Sequence, residues 1–243
     1  MEKKLNDVSI SGSGKVTGGE YGNVRVSGSG RITGNIIAKS IHVSGSAHAA
    51  GVEAEEIRAS GSFRAEGEVK AKSIHVSGSG RIDGAIEAGD IHVSGAFHAG
   101  SVISAGEIHA SGSIHAESGV EADKVILSGG ANIKGLLNAE EIDIRLGGSC
   151  IIGEIGGEHI RVQKGNHRIN FTFSVFNFGK RYSNWTLQTN SIEGTEVLLE
   201  NTICPIVRAK NAVIGEGCEI QRIEYEETLQ IHPSAIVKEQ IKI

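Results

Sequence analysis

Apolar and polar residues alternate in short bursts along most of this chain, and the bursts recur at a nearly constant interval. An apolar-x-apolar-Ser-Gly unit begins at Val24, Ile41, Ile57, Ile74, Ile91 and Ile108, with a less perfect copy at Val125. Successive copies lie 17, 16, 17, 17, 17 and 17 residues apart. An earlier copy begins at Val8 and a degenerate one at Ile142, so the array runs to about residue 160 and holds nine visible coils.

Within a coil the period is two. Ile74 and Val76, Gly80 and Ile82, then Ile86 and Ala88 are small or apolar, whereas His75, Arg81 and Glu87 between them are polar. Each coil therefore predicts three short strands, with Ser77-Gly78, Gly84 and Gly89-Asp90 at the breaks. Repetition turns this into an all-β, three-sided parallel solenoid of about 17 residues per coil, with inward side chains stacked about 4.8 Å apart. An amphipathic helix does not fit, because the recurrent glycines would cost about 1 kcal/mol each there. The predicted organisation is a short N-terminal tail over 1–7, a regular solenoid over 8–162, an aromatic-rich excursion or cap over 163–194, and irregular β-coils over 195–243.

Composition agrees with a narrow tube. The chain has 34 glycines, two prolines and 4% aromatics, which suits neither a collagen repeat nor a large aromatic core. A formal net charge of −5 with both signs interspersed gives no bulk reason to expect nucleic acid as a partner. Cys150, Cys204 and Cys218 lack metal-ligand spacing and read as reduced thiols of a cytoplasmic protein. No segment approaches the roughly 20 apolar residues of a membrane span, so direct membrane insertion is not expected.

Polar side chains between the inward positions form outward columns. The first carries Arg25, His42, Arg58, His75, His92 and His109; the second carries Lys15, Arg31, His48, Arg64, Arg81, His98 and His115. The third is mixed, with Glu53, Lys70, Glu87, Ser104, Glu121 and Asn138. Imidazole is a common ligand for zinc, copper or nickel. No carboxylate or thiolate recurs within the two histidine columns, however, and repeat duplication accounts for identical residues in register, so neither a metal nor another cofactor is assigned. Two readings of the basic ridges remain open: a solvated surface, or a salt-sensitive docking face for an acidic partner. The acidic residues are dispersed rather than gathered in a cleft, and no catalytic residue is assigned.

The repeat breaks after Val162. Phe171, Phe173, Phe176, Phe178 and Trp185 cluster in the following stretch, each phenylalanine pair spaced to share one face of a strand. They read either as an internal cap or as a self-association surface.

The Ile-His-Val-Ser-Gly-Ser-Gly-Arg-Ile-x-Gly run of residues 74–84, repeated in variant form over more than half the chain, resembles the bactofilins, a family of bacterial cytoskeletal proteins. The resemblance implies a right-handed parallel β-helix that polymerises end to end without nucleotide. It implies a scaffold role in cell shape, division or motility at a cytoplasmic, membrane-proximal location. The implied partners are further copies of the chain, a paralogous bactofilin, or cell-envelope and motility proteins. The lack of a Gly-Lys-Ser/Thr phosphate loop agrees with nucleotide independence. Bactofilins place an apolar residue, often Phe, near the end of one uninterrupted helix, whereas the Phe-rich segment here is internal; only the type of role carries over to Phe171, Phe173, Phe176 and Phe178. The rival expectations are a capped monomeric or dimeric solenoid that binds a partner through its His/Arg ridges, and a trimeric hexapeptide-type acyltransferase.

Overall fold

A computed structural model describes residues 5–165 and 185–243. Over these residues the chain is all-β. Every strand pairing is parallel, and the chain winds into a solenoid of about 13 coils. The strand Val69–Val76 carries two faces of one coil and Ser79–Ile82 the third; Ile86–Val93 and Ala96–Ala99 repeat the pattern one coil further on. The register follows the repeat, with Ile57 on Ile74, Ile74 on Ile91 and Ile91 on Ile108.

Stacked inward columns make the core. Ile74, Val76, Ile82 and Ile86 with their counterparts are almost wholly excluded from solvent. The alanine column is shallower: Ala38, Ala54 and Ala139 are buried, while Ala71, Ala88, Ala105 and Ala122 pack against the core half-buried. A further inward column alternates in size. Phe63, Gly80 and Phe97 stand in one column, and a Cβ on Gly80 would lie 2.8 Å from the Phe97 ring. The absent Gly80 side chain makes room for that ring.

The Ser-Gly corner has its own requirement. The amides of Ser77 and Gly78 both donate to the Ala59 carbonyl, at 2.9 and 3.1 Å, and the motif repeats with Ser94 and Gly95 on Val76. This double contact draws the corner so close to the coil below that a Cβ on Gly78 would lie 2.1 Å from the Gly61 carbonyl oxygen. Only glycine fits there.

The stack extends beyond the predicted boundaries. Asn6 and Asp7 already pair with Gly22 and Asn23 of the next coil, so residues assigned to a tail belong to the solenoid. The strand Cys150–Lys164 pairs directly with Leu187–Gln188 and Ser191–Leu199, so one continuous stack includes the C-terminal coils and resumes at Leu187 rather than at 195. The inward columns continue through Val197, Ala212 and Leu229, which explains the resumption: the same alternation of apolar and polar residues suffices without the Ser-Gly corners.

Candidate functional site

The two basic columns stand where the repeat places them. In the first, Arg25, His42, Arg58, His75, His92 and His109 follow one another in register. The rings of His75 and His92 stack at 4.8 Å between centroids, and those of His92 and His109 at 5.1 Å. In the second, Arg31, His48, Arg64, Arg81, His98 and His115 are in register, and His98 stacks on His115 at 4.8 Å and 7°.

What the column-by-column reading missed is that each ridge is flanked by a polar column rich in carboxylates. The residue two before each first-column position points to the same side, giving Ser40, Glu56, Ser73, Asp90 and Glu107. Glu56 accepts from Arg58 at 2.7 Å, and Glu107 lies 3.3 Å from His109. The Ser73 hydroxyl donates to Asp90 at 2.7 Å and meets His75 Nε2 at 2.8 Å, so the imidazole nitrogen is the donor of that second bond. Residues two after the second-column positions do the same. Asp83 takes Arg64 on one oxygen at 2.9 Å and Arg81 on the other at 2.8 Å. Glu66 lies 2.9 Å from His48, and Glu117 lies 2.7 Å from His115 and also pairs with Lys134. The signal was present as an i, i+2 relation on a strand. That relation runs across the columns, whereas the 17-residue repeat runs down them.

Lys134, then His115, hold the Glu117 carboxyl down to about 2. Partial burial, then the neighbouring charges of Arg81 and His115, push His98 below the usual histidine range. The ridges are thus ion-paired surfaces rather than bare positive stripes, and their basic character stops partway along the stack. Beyond His109 the first column continues with Ile126, Asp143, Arg161, Leu198 and Val213; beyond His115 the second holds Asn132, Ile151, Gln188 and Ile203.

The other functional elements are the ends of the stack. At one end Val8–Ile10 pairs on a single side, with Val8 and Val16 half-buried against the core. At the other, Ile236–Lys242 pairs only with Glu219–Ile231, leaving Leu229, Ile231 and Val237 half-buried and Ile236 exposed. No described strand covers either outer edge. Phe171, Phe173, Phe176 and Phe178 lie outside the described residues. Trp185 is exposed where the chain rejoins the stack, its carbonyl accepting from Asn201 Nδ2 at 3.4 Å. Among the described residues, no helix is long and apolar enough to cross a membrane.

The chain is similar to two proteins of Bacillus subtilis (strain 168). It is 37% identical over 110 residues to the uncharacterized protein YhbF and 32% identical over 114 residues to the uncharacterized protein YhbE. The matched stretches are 45% and 46% of this chain and span 42% and 44% of those relatives, less than half the length of either. No family model matches the chain. No solved structure matches it.

Proposed function

We propose that this chain is a bacterial cytoskeletal scaffold of the bactofilin type, which self-assembles without nucleotide by adding coil to coil at the ends of the solenoid. One observation carries the reading: a stack paired in parallel throughout, whose terminal strands Val8–Ile10 and Ile236–Lys242 each keep an unpaired edge among the described residues. A free edge presents backbone donors and acceptors at the spacing of the next strand. The half-buried Val8 and Val16 at one end, and Leu229, Ile231 and Val237 at the other, offer apolar surface that a further coil would bury. Such a contact joins unlike ends and does not close on itself, so it propagates into a filament. It needs no nucleotide, because pairing and burial supply the driving force. The sequence resemblance to bactofilins points the same way, towards a cytoplasmic, membrane-proximal role.

The test is negative-stain electron microscopy of the purified, nucleotide-free chain at physiological salt, with light scattering over a dilution series. Filaments or sheets that thin out on dilution are expected. Val237→Lys, which places a charge on the inward side of the last strand, is expected to abolish them while β-type circular dichroism persists. Uniform particles of fixed small size would refute end-to-end assembly and favour a discrete module whose His/Arg ridges bind a partner.

A further inference from the structure

The second outward column contains a group of side chains whose chemistry differs from that of its neighbours. His98, His115 and Glu117 each offer one ligand atom, and the three atoms lie within 4.8 Å of one another. Adjacent coils bring the two imidazoles together in register, and Glu117 follows His115 by two residues on the same face. The coil of His98 has glycine at the matching position. A Cβ on Gly100 would come within 2.8 Å of the Asp83 carbonyl oxygen, so no side chain of that coil stands between Asp83 and Glu117. The carboxylate and both rings therefore share one stretch of outer surface, with His98 and His115 half-buried and Glu117 exposed.

The geometry points to a binding site for a divalent transition metal, with zinc as the fitting ion, held by His98, His115 and Glu117. Two imidazoles and one carboxylate are a donor set suited to zinc, with a fourth position left to water. Ligand distances of about 2.0 to 2.2 Å set donor atoms roughly 3.3 Å apart, so the widest pair has to close, the His115–Glu117 pair at 2.7 Å has to open and the stacked rings have to splay, which side-chain rotation at a half-exposed surface permits. Two groups oppose the ion: Lys134, which occupies Glu117, and the Arg81 charge beside His98. Asp83, already shared by Arg64 and Arg81, offsets the latter. The longer stack of His75, His92 and His109 lacks this arrangement, since Ser73, itself bound to Asp90, takes up His75, and Asp90 stands 3.7 Å from His92.

Zinc titration of the full chain without a polyhistidine tag, followed by calorimetry, tests the site. One zinc per chain is expected, with affinity reduced about tenfold or more in His98→Ala and His115→Ala and unchanged in His75→Ala. Glu117→Gln is expected to weaken binding and Lys134→Gln to strengthen it, because the lysine competes with the ion for the same carboxylate. That opposite pair of shifts is not produced by loss of folding, which circular dichroism monitors in each variant. Absence of zinc binding by the wild-type chain overturns the proposal. So does binding that survives His98→Ala and His115→Ala, or that is lost in His75→Ala.

Discussion

The core of a narrow tube leaves little freedom at a single position, and the column of Phe63, Gly80 and Phe97 is where that is sharpest. Large, absent and large side chains alternate, and each phenylalanine fills space conceded by its neighbour. Phe97→Ala is expected to destabilise the chain by about 3–5 kcal/mol through the cavity it leaves. Gly80→Ala is expected to cost about 1–3 kcal/mol by overpacking. Because the residues touch, combining Gly80→Ala with Phe97→Leu should cost less than the two single changes together. Urea unfolding followed by circular dichroism measures all three, and a neutral Gly80→Ala would contradict the packing account. The cysteines act as small core residues. Burial pushes the thiols of Cys150, Cys204 and Cys218 up, Cys204 to about 11. A raised thiol pKa favours the protonated form in the folded state, so this contribution is present below the unfolded value of about 8.5 and declines as pH rises past it. Alkylation at pH 8 should be slow in the native chain and complete for all three thiols in urea; fast native labelling of any one would show that its coil opens.

At the scale of the coil, the faces are held by backbone pairing and decorated by ion pairs, and these differ greatly in worth. Asp83 joins two columns and two coils through Arg64 and Arg81, yet it sits at the surface, where such pairs contribute about 0.2–1 kcal/mol. Slight desolvation opposes its ionisation, but Arg64 and then Arg81 outweigh it and hold the carboxyl below its usual range. A depressed carboxyl pKa stabilises the fold above the unfolded value and ceases to do so as pH falls through the folded one. Asp83→Asn should therefore lower stability slightly at neutral pH, less in high salt, and not at all in strong acid. A large loss at neutral pH that salt does not reduce would mean that Asp83 supports the corner at Gly84 rather than the surface charge. The Ser-Gly corner is the stronger device, because each pair of amides shares one carbonyl of the coil below and admits no side chain.

For the whole molecule, a solenoid in which each coil touches only its neighbours has stability that accumulates along one axis. Its two ends are chemically unlike the middle, each with half-buried apolar residues and a strand edge unpaired among the described residues. That is why the filament experiment bears on the entire architecture: Val237→Lys alters one end, and the pairing of all lower coils gives it a stable body to act on. The change in the outward columns from His and Arg to Leu198, Val213, Ile151 and Ile203 also divides the outer surface along its length. Histidines and arginines hold these columns in one part, and apolar residues, of which Ile151, Ile203 and Val213 are exposed, hold most of them in the other.

The spacing of apolar residues carried the fold. A period of two nested in a period of 17 permits one closed solution, parallel coils with their alternate side chains inward, and the positions of His75, His98 and their columns follow from it by counting. Local alternation has this power because it sets which face of a strand is buried before any long-range contact forms. The spacing favoured continuation of the stack beyond Lys164 over a second small solenoid, but its resumption at Leu187 was not legible, because the interruption erases the count while the pairing of adjacent coils restores it. Nor was the joining of His98, His115 and Glu117, which mixes residues of two coils and two columns. Their proximity depends on the stacking of those coils, which sets the two rings 4.8 Å apart, a distance that exists only once the chain has closed upon itself.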